Sequence, residues 1–104
     1  MDSRFIDVKV KGDSMWPTLR DGDVVRFEKV KLPIGLTSSK LIEPNQIVLF
    51  KHPYKKNFNL IKRIQLLQDG WVFLIGDNPD PNASEDSHNF GLVHQSYILA
   101  TLTE

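Results

Sequence analysis

The chain has 104 residues, which is room for one domain (1–104) with one modest core. Lys plus Arg and Asp plus Glu are equal at 13 each, so whole-chain charge gives no reason to expect a nucleic-acid partner. The absence of cysteine excludes both a disulfide framework and a thiolate metal site, and no apolar run approaches the roughly 18–20 residues of a membrane helix.

The N-terminus has no signal-peptide pattern, because Met1-Asp2-Ser3-Arg4 leads straight into a strand-like run. In "FIDVKVK" (5–11), Ile6, Val8 and Val10 alternate with Asp7, Lys9 and Lys11, which predicts a half-buried strand. After the Gly22 turn, "DVVRFEKV" (23–30) is a second β-rich run. Prolines, Gly35 and two serines make 32–45 a loop or excursion. "QIVLFKH" (46–52) is a strand stopped by Pro53. "NLIKRIQLL" (59–67) is another, and Asp69-Gly70 turns it tightly into "WVFLIGD" (71–77). A long polar loop follows over 78–91, and "SYILATLT" (96–103) is the last strand. About six strands and no long helix predict an all-β domain of coiled sheets or a partial barrel.

Two positions carry possible chemistry. In the 59–67 strand, Leu60, Lys62, Ile64 and Leu66 share one face, so Lys62 is the lone charge in an aliphatic row. Desolvation there lowers a lysine pKa, and a neutral lysine is a usable general base. The alternative is a lysine that snorkels to the sheet edge. Ser14 stands in "VKGDSMWPTLRDGD" (10–23), which has neither helix nor strand period. Gly12 lets the backbone bend and Pro17 fixes its direction, so the turn can expose a hydroxyl and aim backbone N–H groups at an oxyanion. Serine–lysine pairs are an accepted variant of the serine–histidine arrangement. The alternative is a plain turn, with Asp13 or Ser14 capping a short helix that buries Trp16 and Leu19.

His52, His88 and His94 stand in separate segments, whereas a metal site needs three or four converging ligands. All three are taken as surface or loop residues, and no metal or cofactor is expected. Lys51, Lys55, Lys56, Lys62 and Arg63, with Tyr54 and Phe58, form a basic-aromatic stretch. With zero net charge it is read as a solvated hairpin end rather than a nucleic-acid surface.

Three separated segments, in order, resemble the signal peptidase I family. "GDSMWPTLRDGDVV" resembles its nucleophile segment, which the self-cleaving repressor proteases share. "IKRI" resembles its lysine segment, and "GDNPDPNASEDSHNFG" its Gly-Asp-Asn…Ser-x-Asp-Ser-Arg-x-x-Gly segment. The resemblance implies a signal peptidase-like core of coiled antiparallel sheets. It makes Ser14 the nucleophile, whose backbone N–H contributes to the oxyanion hole, and Lys62 the general base. Ser84 orients the lysine, and Asp86 forms a structural ion pair with Arg63. Asp77 and Asn78 shape the loop near the site, and Met15, Trp16 and Pro17 line the substrate cleft. Trp16 as plain core remains open. Gly12 stands where some members add an oxyanion-hole hydroxyl. The chain departs from the pattern at His88, where the family has arginine, and in a longer 78–84 loop holding Pro79 and Pro81.

Typical signal peptidases carry an N-terminal membrane anchor, and none is seen here, so a soluble cytoplasmic enzyme with no membrane span is expected. "FKHP" before "IKRI" and "VFLIGDNP" after it are similar to the nickel-type superoxide dismutase maturation proteases. That resemblance implies a protein substrate, the dismutase precursor, whose leader is removed to expose a nickel-binding N-terminus. Nickel then belongs to the substrate. The alternatives are a processing protease for another precursor, and a non-catalytic peptide-binding module of the same fold. A self-cleaving repressor relative fits less well, since nine residues precede Val10 and leave no helical DNA-binding module.

Overall fold

Every strand expected from the sequence forms, and the way the strands are ordered explains which of them are buried on both faces. The computed structural model describes residues 4–30 and 42–103. The strands are β1 (Phe5–Lys9), β2 (Val24–Lys29), β3 (Ile47–Lys51), β4 (Asn59–Gln68), β5 (Trp71–Ile75), β6 (Val93–His94) and β7 (Ile98–Leu102). They form one antiparallel sheet in the order β1-β2-β7-β3-β4-β5-β6. The last strand is inserted in the middle, where it joins the β1–β2 hairpin to the β3–β4–β5 meander. The result is an all-β, curled sheet with no substantial helix. Among the described residues, no helix is long and apolar enough to cross a membrane.

β3 lies inside the sheet and is apolar without alternation. Val48 and Phe50 enter one cluster, with Ile64, Val72, Leu74, Phe90 and Ile98. Ile47 and Leu49 enter a second on the opposite face, with Val10, Met15, Leu19, Phe27 and Ala100. A strand covered on both faces reads as a continuous hydrophobic run, which is how "IVLF" is written.

Three local features differ from the sequence expectation. The β4–β5 register shifts between Ile64 and Leu66, so a bulge inverts the alternation. Leu66 is therefore exposed, and Leu67 packs against the first cluster instead. The short strand β6, which pairs with β5, lies in a stretch read as loop. The polar loop also holds a one-turn helix, α1 (Ser87–Phe90). Asp86 caps it by accepting from His88 N–H, while the Asn89 side chain accepts from Asp86 N–H. Phe90 then enters the first cluster, and Ser87 Oγ accepts the Leu74 N–H at 2.9 Å, which docks the loop onto β5. The Asp69-Gly70 hairpin is as expected: both residues have positive φ, as a type I′ turn requires. The 32–45 excursion lies outside the described residues up to residue 41, and Ile42 returns to the core.

Candidate active site

The Ser14 segment is an irregular loop closed at its base and anchored by two apolar side chains. Val10 N–H donates to Asp23 O and Gly22 N–H to Val10 O, so the ends of the loop meet. Gly12 has φ +81° and donates its N–H to Asp21 Oδ1 at 2.7 Å, a conformation that favours glycine. Leu19 N–H donates to Met15 O, a single helical turn that puts both side chains on one side. Met15 is 1 % exposed and Leu19 is buried beside it, both in the second cluster. Met15 is therefore an anchor in the core, not part of a cleft rim as expected. Trp16, which follows, is 45 % exposed, so it is not core, and Pro17 is exposed after a cis peptide bond.

Lys62 is on β4, paired with Val48 of β3, between Leu60 and the fully buried Ile64. It is 3 % exposed. Its Nζ lies 3.1 Å from Ser14 Oγ and 3.2 Å from the Ile61 carbonyl. Burial pulls the Lys62 pKa below its ordinary value, and the negative charges of Asp86 and Glu85 oppose that shift only in part.

The loop after β5 clamps the serine segment. Asn78 N–H donates to Ser14 O at 3.0 Å, and Asn78 Nδ2 donates to Asp13 O at 2.8 Å. Thr18 Oγ1 donates to Asp77 Oδ2 at 2.6 Å. Gly76 fills the tightest gap: a Cβ there would stand 2.6 Å from Ser14 O and 2.5 Å from Ser84 Oγ. Sequence reasoning gave Asp77 and Asn78 a loop-shaping role but did not single out Gly76 or Thr18. The available signal was a glycine where a buried strand ends, immediately before Asp-Asn.

Two expected contacts are made differently. Arg63 pairs with Asp77, not Asp86, donating Nε to Oδ1 at 2.8 Å and Nη2 to Oδ2 at 2.6 Å. The reason is strand geometry. Arg63 is opposite Ile75 on β5, so its face continues to Asp77 two residues on, whereas Lys62 projects to the other face. Asp86 accepts from His88 N–H and Gly76 N–H, and His88 Nδ1 lies 2.9 Å from the same carboxylate. Burial pushes the Asp86 pKa up, but those donors outweigh it and the carboxyl sits below its usual range. Ser84 makes its side-chain hydrogen bond to Asp86 at 3.4 Å, and among the described residues Lys62 bonds only Ser14 and Ile61. The expected Ser84–Lys62 hydrogen bond is thus replaced by a position beside Gly76.

His52 also differs from expectation: it is buried, not a surface residue. Its Nδ1 accepts from Tyr54 N–H and Lys55 N–H, which leaves the ring proton on Nε2, 3.1 Å from Glu85 Oε2. No group of three or more His, Cys, Asp or Glu among the described residues could hold a metal.

A serine in a loop and a buried lysine on a curled β-sheet thus stand in hydrogen-bond contact. The family model for Peptidase S24-like proteins matches residues 2–93. The chain belongs to the Peptidase S24-like family. This is a serine-protease family with a signal-peptidase-like fold. The matched span of the Peptidase S24-like chain contains Ser14, Lys62 and the 76–91 loop, while β7 lies beyond it. No curated protein matches the chain.

The Arg63–Asp77 pair gives the first prediction for this S24-like chain. The Arg63 hydrogen bonds hold the Asp77 carboxyl below its usual range, against the upward push of burial, with Thr18 adding to the effect. A carboxylate with a depressed folded pKa contributes stability above its unfolded value near 3.9, and that stability is lost as pH falls through the folded pKa. Asp77→Asn should lower stability by about 2 kcal/mol at pH 7, since charge-assisted bonds to a half-buried guanidinium are lost. The deficit should shrink as pH falls below the unfolded value, which urea denaturation at pH 7 and pH 3 would show as a smaller difference at pH 3. Equal deficits at both would mean that the pair is not the source.

Proposed function

We propose that this chain is a serine endopeptidase in which Ser14 is the nucleophile and Lys62 the general base. The observation that carries the reading is the 3.1 Å separation of Lys62 Nζ and Ser14 Oγ, with the lysine 3 % exposed. Neutral Nζ takes the hydroxyl proton as Oγ attacks the substrate carbonyl carbon. The ammonium then protonates the leaving amine, and water, activated by the same lysine, hydrolyses the acyl-enzyme. The Ser14 N–H donates to no group among the described residues and is the candidate oxyanion donor. Trp16 and Pro17, exposed beside the serine, form the apolar rim of the cleft.

The proposed substrate is the precursor of nickel superoxide dismutase, cut to expose the N-terminus that binds nickel. What supports it is the resemblance carried by "FKHP" and "VFLIGDNP" on either side of Lys62. Purified protein mixed with that precursor should give one new N-terminus by mass spectrometry, absent with Ser14→Ala and with Lys62→Ala. A cut in an unrelated leader but not in this one would keep the chemistry and discard the partner. Peptide binding without any cut would favour a non-catalytic module.

The depressed Lys62 pKa gives a second prediction. Only the neutral amine is a base, so kcat/KM should rise with pH through an apparent pKa below the ~10.4 of free lysine. A rate that is flat from mildly acid to alkaline pH, with chemistry limiting, would remove Lys62 from the mechanism.

A further inference from the structure

At the β3–β4 hairpin end lies a groove of about 830 Å³ that the proposed chemistry does not use. Its lining includes Lys51, Lys55, Lys56, Tyr54, Phe58 and Tyr97, and none of its lining residues is acidic. On a chain of zero net charge this is a concentrated positive surface. Tyr54 is 77 % exposed and Phe58 is partly exposed. Lys51 and Lys56 form no ion pair with any described residue.

The chemistry the groove accepts can be read from a carboxylate outside the lining that already binds two of its lining residues. The Glu85 carboxylate stands 3.3 Å from Lys55 Nζ and 3.1 Å from His52 Nε2. Lys51 and Lys56 repeat the ammonium without the carboxylate. Of the groove's Tyr54, Phe58 and Tyr97 rings, the last two are poorly placed to stack bases. Lys55 Nζ lies over the Phe58 ring at 5.4 Å and Lys51 Nζ over the Tyr97 ring at 5.7 Å, so one face of each is covered by an ammonium group. A single-stranded nucleic acid needs such faces open for stacking.

The groove opens on the same β3–β4 hairpin that carries Lys62, with the Lys51 and Lys62 side chains on opposite faces of it. Lys62 is opposite Val48, and Lys51 is opposite Asn59, three residues further along the same hairpin. At about 3.3 Å per residue that is roughly 10 Å, the span of three residues of extended peptide. Glu85, next in sequence to Asp86, contacts His52 and Lys55 of the groove.

We infer that this groove is a docking surface for an acidic segment of an extended peptide, with carboxylates seated on Lys51 and Lys56. That the peptide is the substrate, with its acidic residues about three to six positions from the cut, rests on the protease reading above; the docking surface itself does not.

The test uses the full chain carrying Ser14→Ala, isotope-labelled for NMR, and blocked hexaglutamate as probe. Hexaglutamate should shift the amides of 51, 52 and 54–59 and of Tyr97 and Leu99, with affinity that falls as salt rises. Lys51→Gln with Lys56→Gln should weaken it at least about tenfold, and blocked hexaglutamine should shift nothing. No shifts, shifts elsewhere, or tighter binding there of a thymidine hexanucleotide or of phosphatidylserine vesicles would overturn the inference. The substrate clause has its own readout in the wild-type background, using a cleaved precursor with Glu or Gln at those positions. The double lysine variant should raise KM for the Glu form alone and leave kcat unchanged. An unaltered KM would overturn that clause, and binding without cleavage of any precursor would overturn the protease reading while the groove stands.

Discussion

Replacing Lys62 by methionine should abolish peptide cleavage and raise the melting temperature of the same variant at neutral pH. Methionine keeps the length and apolar stem that fit between Leu60 and Ile64, and it removes only the amine. The loss in kcat/KM should be about 10³-fold or more, as for other nucleophile–base pairs that act as a unit. The gain in stability follows from linkage. Burial lowers the Lys62 pKa in the folded chain relative to the unfolded chain. At pH values below the lowered pKa both states carry the charge, and the folded state bears the full cost of burying it. Between the lowered pKa and ~10.4 the folded chain releases its proton first, so wild-type stability rises with pH. The advantage of methionine should therefore be largest on the acid-to-neutral side and disappear as pH approaches ~10.4. Thermal unfolding of both proteins at pH 7 and pH 10 measures this. A variant less stable than wild type at pH 7 would show that Lys62 contributes to holding the fold, and the separation of stability from activity would be lost.

What the sequence made legible depended on whether the signal was local. Alternation located the 5–11 run, and β-rich composition between turn signals located the 23–30 and 59–67 runs. The Asp69-Gly70 turn was legible because only a few residue types accept positive φ at both positions. Lys62 was legible as a lone charge in an apolar row, and that row is where the chain buries it. The identity of Arg63's partner was not, since a carboxylate 14 residues away and one 23 away look alike until the register of β4 on β5 is fixed. Met15 was misplaced for a related reason. The segment shows no period over 10–23, and its single helical turn is set by one hydrogen bond from Leu19. The Gln65 bulge has no residue-type signature, so the reversal that exposes Leu66 could only be seen in the paired strands.

The two members of the pair are held in place by different means. Lys62 is placed by a regular ladder, with Val48 opposite it and Leu60 and Ile64 beside it. Ser14 belongs to no strand, so its position depends on Met15 and Leu19 in the core and on the loop after β5 that holds its backbone carbonyl. Asn78 supplies two hydrogen bonds to that segment, and Asp77 ties it to β4 through Arg63. The loop's own position is fixed by Asp86, which binds Gly76 N–H and caps α1 with one carboxylate. One end of the proposed dyad is thus rigid by sheet pairing, and the other by contacts that converge on residues 76–78.

Gly76→Ala should be the most damaging single-methyl change near the site. The position does not need glycine for its backbone conformation, since its φ lies outside the left-handed region; it needs glycine for space. An added Cβ would lie 2.6 Å from the Ser14 carbonyl oxygen, 2.5 Å from Ser84 Oγ and 2.9 Å from Ser84 Cβ. The Ser84 hydroxyl can rotate away, but the Ser14 carbonyl is backbone and is already bound by Asn78 N–H. Relief therefore requires the Ser14 segment and the 76–78 loop to separate. Overpacking of this kind costs about 1–3 kcal/mol. A displacement of Ser14 Oγ from Lys62 by about 1 Å should lower kcat about 10²-fold. Ser84→Ala combined with Gly76→Ala isolates the hydroxyl clash, because it removes Oγ and leaves the contacts with the Ser14 carbonyl and the residue-84 Cβ in place. The double variant should recover little activity. Full recovery would mean that the hydroxyl was the whole obstacle and that the serine segment tolerates a methyl group against its backbone. Unchanged activity in Gly76→Ala itself would show that the distance between the loop and Ser14 does not govern the geometry of the pair.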